Sequence, residues 1–246
     1  MSVELSERGL VALLTLNNPA KLNALSGDFM NEIHQKIHDI DKKFNVLVVT
    51  GCSRAFAAGV DVHEIQELSH ERAYLENFID HRWESILDVK IPVIAAVSGY
   101  ALGGGFELAL MCDIVVASET AIFGFPEVNL GLMPGMGGTQ MLTSIVGPKI
   151  ASEIMMTGRF VTAAEALSLG IVSRLTDENL LLEQTLELAQ KISEKSTMST
   201  RMIKDAVRLA QNVGLAQGIK FERQMFRSLF STSFKQKGVA AFLEKK

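Results

Sequence analysis

Apolar residues fall along this chain in two rhythms. Short unbroken runs, "LVALLTL" at 10–16, "NVLVVTG" at 45–51, "IPVIAAVSG" at 91–99 and "DIVVAS" at 113–118, read as strands, and the middle two as buried strands. Between and after them, apolar positions follow helical spacing, as with Phe29, Ile33, Ile37, Ile40 and Phe44, which mark a helix over 28–43. A charged helical region reaches about residue 88, and a short helix is expected over 104–112. Further helices are expected over 139–146, 150–157, 163–169, 179–193, 199–211 and 215–230. Strands alternating with helices, then helices alone, predict an α/β fold with a parallel core and a helical C-terminal appendage. The polar stretch "SEKSTMST" at 193–200 sets the expected division between a core, 1–195, and a helical region, 196–246.

Composition narrows the function classes. At 246 residues, 48% of them hydrophobic, the chain has ample material for one large core. No apolar run nears the ~18 residues of a membrane span, and the opening "MSVELSERGLVALLTL" lacks the basic region of a signal peptide. Cys52 and Cys112 show no metal or redox spacing, which points to a reducing, cytoplasmic setting. The net charge of −4 is unevenly placed: residues 191–246 carry 12 basic and 4 acidic side chains, leaving −12 on the rest. A basic tail on an acidic body suits an anionic ligand or a contact between subunits, and equally a solvated basic helix face. An acidic chain without an RNA-binding module argues against a nucleic-acid partner.

Familiar motifs are absent. No Gly-Lys dipeptide exists for a phosphate loop, and Leu108 occupies the last glycine position of a G-x-G-x-x-G match. Ser98 follows Ala96 where a nucleophile elbow requires glycine. His34 and His38 share a helix face, but no third metal ligand follows at suitable spacing, so a polar helix face explains them better.

What stands out is "GYALGGGFELALMCD" at 99–113, a strand, a glycine turn and a helix start. Amides of a first helical turn lack internal acceptors, and glycine lets a ligand oxygen approach them. Glu107 lies one turn in, among Phe106, Leu108, Ala109, Leu110 and Met111. An acid in a first turn also serves as a dipole partner. Its uniformly apolar flanks favour a working carboxylate, because burial of an idle one is costly. Glu127, in the glycine- and proline-rich "FGFPEVNLG", is a second acid in apolar surroundings, and two such acids can divide acid and base roles. Spacing alone does not bring them together.

The chain resembles the crotonase superfamily, and within it enoyl-CoA hydratase, along essentially its whole length. The resemblance is carried by "NNPAKLNAL" (17–25), "AFAAGVDVHEI" (55–65), "IPVIAAVSGYALGGGFELALMCDIVVAS" (91–118), "FGFPEVNLGLMPGMGGTQML" (123–142) and "GVAAFLEKK" (238–246). It implies a crotonase-like spiral of βα-type turns whose C-terminal helices mediate a homotrimer, often doubled to a hexamer. It further implies reversible hydration of a 2-trans-enoyl-CoA to a 3-hydroxyacyl-CoA in fatty-acid metabolism. No metal or separate cofactor is expected, coenzyme A being part of the substrate, and no membrane.

Carried over by position, the N–H groups of Val60 and Gly104 form an oxyanion hole for the thioester oxygen. Glu107 orients and activates a water toward the β-carbon, Glu127 delivers a proton to the α-carbon, and Gly135 contacts the water. Lys21, Leu22, Ala24, Ala58, Asp61, Val62, Phe226 and Lys245 match coenzyme A contacts. Phe125, Met133 and Met136 fall in the acyl pocket. Several of these depart from common family residues: Val60 stands for alanine, Phe125 for glutamine, and Lys21 lies one place late. The alternatives within the family are a double-bond isomerase or a hydratase of branched enoyl-CoA. Outside it stands a non-catalytic scaffold binding coenzyme A or RNA, which the intact acids and glycines disfavour.

Overall fold

The continuous apolar runs become the middle strands of a sheet covered on both faces. A computed structural model describes residues 2–244. Strands β1 (Ser2–Arg8) and β2 (Val11–Asn17) form an antiparallel pair turned at Gly9, φ 63°, and helix α1 (Gly27–Ile37) follows. The chain then winds through three spiral turns. The first is β3 (Val46–Thr50), β4 (Ala55–Ala57), α2 (Val62–Gln66), α3 (His70–Leu75) and α4 (Ser85–Asp88). The second is β5 (Val93–Val97), β6 (Tyr100–Leu102) and α5 (Gly104–Met111). The third is β7 (Ile114–Ser118), β8 (Ile122–Gly124), α6 (Gly138–Val146) and α7 (Pro148–Thr157). After β9 (Phe160–Thr162), α8 (Ala163–Ser168) and β10 (Arg174–Thr176) come α9 (Leu181–Ser193), α10 (Thr197–Leu209), α11 (Leu215–Ser228) and α12 (Ser233–Glu244).

Each spiral turn places its first strand in a large sheet, ordered β1-β2-β3-β5-β7-β10, and its second in a small sheet, ordered β4-β6-β8-β9. The large sheet is parallel from β2 onward, and the small one is parallel except where β9 pairs with β8. This is the spiral that the resemblance implied. Strand alternation splits the apolar residues into two layers. Leu47, Val49, Val93, Ala95 and Val97 face the main core between the sheets, while Val46, Val48, Ile94 and Ala96 face α9 through Leu181 and Ala189. Burial on both faces is why these strands are unbroken apolar runs.

The expected middle strands and the helices beyond 139 form close to their predicted bounds. Strand β1 had no apolar run to announce it: only Val3 of "SVELSER" is buried, as suits an edge strand. Strands β6, β8, β9 and β10 are three residues each, too short for a period. The helix expected over 28–43 stops at Ile37, where Asp39 turns left-handed at φ 61°. Helix α12 was not expected from periodicity, and only its part from residue 238 lies in a stretch quoted above for the resemblance.

Helix α10 is tied to the body by buried charge. Lys204, 6% exposed, reaches the Asp113 carboxylate at 2.7 Å and donates to the Ile91 carbonyl at 2.7 Å. Burial holds the Lys204 ammonium below its usual range, with Asp113 opposing that shift. Arg208 joins Asp113 from the same helix and donates to the Leu87 and Met111 carbonyls, the latter at the end of α5. Beyond α10, neither α11 nor α12 has a buried residue among those described, although Phe226, Phe230, Phe234 and Phe242 are on them or beside them.

Removing Asp113 leaves the buried Lys204 charge without a carboxylate, whereas removing the Lys204 charge leaves Asp113 still paired with Arg208. Asp113→Ala is therefore expected to lower unfolding free energy by about 3–5 kcal/mol, and Lys204→Met by clearly less. Urea denaturation followed by circular dichroism measures both.

Candidate active site

Helix α5 has no polar face, and its first turn is built by glycines. Gly103, its N-cap, sits at φ 50°, ψ −127°, a region open to glycine alone, and donates its N–H to the Gly124 carbonyl at 2.9 Å. A Cβ on Gly105 would lie 1.9 Å from the Ala57 carbonyl oxygen, so glycine there lets α5 press against β4. The Gly104 N–H, first in the helix, has no intrahelical acceptor.

A second segment approaches the same place. Leu25 forms a parallel bridge with Val60, bonding the carbonyl of Gly59 (2.7 Å) and the N–H of Asp61 (2.9 Å). That pattern points Val60's own N–H away from Leu25. A Cβ built on Gly59 would be 3.1 Å from the Leu102 oxygen, and one built on Gly104 would be 3.2 Å from both Val60 Cγ2 and Met136 Sδ. Val60, Gly104 and Met136 therefore border one small volume.

Glu107 lies one turn further, 1% exposed. Its Oε1 accepts the backbone N–H groups of Met136 and Gly138, each at 2.7 Å. Burial pushes its pKa up, and the Gly138, Met136 and Gly135 amides oppose that. Gly138 must be glycine: a Cβ there would lie 2.7 Å from Phe125 Cζ and 2.9 Å from Glu107 Oε1. The Phe125 ring, fully buried and stacked on Phe106 at 4.7 Å, thus walls the carboxylate.

Glu127 comes from the turn after β8. Its Oε1 is 3.0 Å from where a Gly103 Cβ would stand, and its Oε2 is buried without a protein hydrogen-bond partner. Burial, with a smaller push from the Glu107 charge, raises its pKa to about 7, against its own backbone N–H. The structure brings the two acids to the same glycine-built helix start, which spacing had left open. A buried, unpaired oxygen and a midpoint near neutrality suit a group that exchanges a proton with a ligand.

Other expected residues are distributed unevenly. Lys21 and Asp61 meet as an ion pair at 2.7 Å, which with the His63 amide holds the Asp61 carboxyl low. Leu22, Ala24 and Ala58 are half-buried nearby, the Ala58 N–H bonding the Leu22 carbonyl, while Val62 is 55% exposed. Met136 is buried in the wall, while Met133 is 68% exposed, two residues after the left-handed Gly131. Phe226, 60% exposed on α11, stacks edge-on with Phe230. Lys245 lies outside the described residues.

Two features escaped sequence reasoning. Asn23, fully buried at φ 55°, accepts from the Asn18 N–H and donates to the Ala55 and Phe56 carbonyls, fastening the 18–24 loop to β4. The asparagine-rich "NNPAKLNAL" was its only signal. The second is Ile79, left-handed at φ 61°, whose Cδ1 lies 3.3 Å from a Cβ built on Gly135. No group of three or more potential ligands is placed to hold a metal, and no helix is long and apolar enough to cross a membrane, among the described residues.

Similarity to known proteins agrees with that geometry. The family model described as enoyl-CoA hydratase/isomerase matches residues 6–246. The chain belongs to the enoyl-CoA hydratase/isomerase family. A probable enoyl-CoA hydratase of Rhizobium meliloti is 46% identical over 97% of this chain and 93% of its own length. The 2,3-dehydroadipyl-CoA hydratase of Escherichia coli is 42% identical over 98% and 95%. A crystal structure of an enoyl-CoA hydratase subunit from Geobacillus kaustophilus superposes with a TM-score of 0.96 at 46% identity, covering 100% of this chain and 96% of that one. The crotonase fold of the family is therefore also that of this protein.

The two carboxyls titrate as a coupled system, and Glu127 is expected to show an apparent midpoint at about 7 in carboxyl-selective infrared or carbon-13 titration. Glu107→Gln removes a negative neighbour, which favours the ionised form, so that midpoint should move down.

Proposed function

We propose that the protein reversibly hydrates a 2-trans-enoyl-CoA to a 3-hydroxyacyl-CoA. The observation that carries this reading is the acid pair Glu107 and Glu127 set beside the free amide at the start of α5. Relatives named for enoyl-CoA and for dehydroadipyl-CoA hydration support it, at 46% and 42% identity.

The Val60 and Gly104 N–H groups receive the thioester oxygen. As water adds to carbon 3, electron density flows to that oxygen and the enolate-like charge strengthens both hydrogen bonds. A preorganised donor of this type is worth about 3 kcal/mol in the transition state. Glu107, fixed through Oε1 by two amides, uses its remaining capacity to orient the water and accept its proton. Glu127 in its protonated form gives a proton to carbon 2. The dry wall of Phe125 and Met136 holds both acids above the usual carboxyl range, Glu127 at about 7, where it can give up a proton or take one back. Lys21, Asp61 and the loop they brace lie next to Val60 and flank the pantetheine side of the thioester.

The exposed aromatics of α11, α12 and the turn between them support assembly as a homotrimer, or a hexamer of two trimers, with the basic tail lying toward the coenzyme A phosphates. Two free cysteines support a cytoplasmic setting for the enzyme. The family also holds isomerases. A shift of a 3-enoyl-CoA to its conjugated isomer needs one proton donor and acceptor, and incubation with a 3-enoyl-CoA separates that activity from hydration.

Loss of the conjugated-thioester absorbance on adding protein to a 2-enoyl-CoA measures the reaction. Glu107→Gln and Glu127→Gln should each lower kcat by about 10²–10⁴-fold. A double glutamine variant as fast as the parent defeats the mechanism. Hydration requires Glu127 protonated, so its rate should fall as pH rises through about 7. It also requires Glu107 ionised, so the rate should fall again on acidification.

The assembly prediction is independent of catalysis. Light scattering after size exclusion should give a mass of three or six chains, and Phe230→Glu should reduce it.

A further inference from the structure

Strand β4 is gripped from both sides. On one, glycine at 105 lets α5 press against the Ala57 carbonyl, and that contact locates the Gly104 amide. On the other lies Asn23, a fully buried side chain without a role in the chemistry above. Its Nδ2 donates to the Ala55 carbonyl at 3.0 Å and to the Phe56 carbonyl at 3.1 Å, while its Oδ1 accepts the Asn18 N–H at 2.6 Å. The Asn18 carbonyl accepts the Asn23 N–H in return, at 3.0 Å, which closes the loop on itself.

The same loop runs beside the segment that leaves β4. The Ala58 N–H donates to the Leu22 carbonyl at 3.0 Å, the Leu25 N–H to the Gly59 carbonyl at 2.7 Å, and the Asp61 N–H to the Leu25 carbonyl at 2.9 Å. Val60 sits in the middle of this seam. The Gly59 carbonyl and the Val60 N–H belong to one planar trans peptide and point in opposite directions, so the bond from Leu25 fixes where that N–H points. Leu25 reaches its place through two consecutive left-handed residues, Leu22 at φ 51° and Asn23 at φ 55°. Side chains other than glycine adopt that region at a cost, asparagine most readily, and they stay there only where the surroundings impose it. The three hydrogen bonds of the Asn23 side chain impose it here. At the outer end of the seam, Lys21 and Asp61 bridge the same two segments at 2.7 Å.

On the hydratase reading, on which this inference rests, the Val60 and Gly104 N–H groups share the thioester oxygen. We propose that Asn23 is a positioning residue for that pair of donors: by docking the 18–25 loop onto β4, it holds the Val60 peptide at a set distance and angle from the Gly104 amide. It touches neither the substrate nor the reacting atoms. Charge on the thioester oxygen grows as water adds, so a donor displaced by a fraction of an ångström weakens the transition state most. Binding of the ground state draws on contacts along the whole coenzyme and loses little. A fall in kcat at nearly constant affinity is therefore the expected mark of a displaced Val60 peptide.

Two substitutions separate the side chain from the turn. Asn23→Gly keeps the left-handed backbone and removes every side-chain bond, and Asn23→Asp keeps the acceptor for the Asn18 N–H but loses both donors. With crotonyl-CoA, kcat should fall about 10–100-fold in each, while the calorimetric dissociation constant of butanoyl-CoA changes by less than about 3-fold. The direct readout is the carbonyl stretch of bound butanoyl-CoA, carbon-13 labelled at the thioester, in difference infrared spectra. The parent should lower that frequency relative to water, and both variants should return it part of the way. A merely structural role lowers the melting temperature and leaves the frequency and the kcat of folded protein unchanged, a result that overturns the proposal. If neither variant folds, Lys21→Met decides, because it loosens the same seam at an exposed ion pair worth little to stability. A partial return of the frequency there supports the proposal, and an unchanged one overturns it. A parent that lowers the frequency yet hydrates no enoyl-CoA removes the hydratase reading, and the frequencies still decide the role of Asn23. A parent that leaves the frequency as in water removes the pair of donors, and the proposal with it.

Discussion

A carboxylate buried in the first turn of a helix without a polar face needs hydrogen-bond donors brought from elsewhere in the chain. Glu107 receives them from Met136 and Gly138, at 2.7 Å each, on a segment entered from the third turn of the spiral. Much of the architecture follows from that requirement. The 135–138 loop must approach α5 closely enough for its amides to reach Oε1, which forces glycine at 138 against Phe125 and the acid. Helix α5 must itself lie against β4, which forces glycine at 105. The same compaction leaves Glu127 beside Gly103 with one oxygen unpartnered.

The large sheet makes this possible by being buried on both faces. Main-core residues from β3 and β5 support the floor beneath α5, while α9 covers the opposite side. The far end of α5 is fixed by charge rather than packing. Arg208 caps the C-terminal end at the Met111 carbonyl, and Lys204 with Asp113 fastens α10 to the start of β7. The helix that carries the acid is thereby held at both ends, by glycine contacts at its start and by cations at its finish. Among the described residues, the helices that follow α10 bury no side chain against the body.

Legibility in the sequence tracked the length of each signal. Strands β3, β5 and β7 were readable because burial on both faces writes an apolar run several residues long. Strands β6, β8 and β9, three residues each, carry no period, so the small sheet had no signal of its own. Edge strand β1 shows the opposite case, a polar alternation that resembles a loop. Within the site, Glu107 was conspicuous because its neighbours are apolar. Ile79 was invisible because an isoleucine in a charged helical stretch looks like any apolar contact, and its conformation is a property of the turn.

By itself the sequence determined the alternation of strands and helices, the glycine-opened start of α5, and the presence of two acids in apolar surroundings. These are local properties, set by side-chain size, backbone freedom and periodicity. The family resemblance added roles to those positions. Only the tertiary structure decided that the acids meet, because residues 107 and 127 are separated by a complete strand-to-strand passage of the spiral. It also decided which amides hold Glu107, how far each carboxyl is shifted, and where Ile79 stands. Those depend on distances between segments remote along the chain, and such distances are fixed by packing the two sheets against α5 rather than by any stretch of sequence alone.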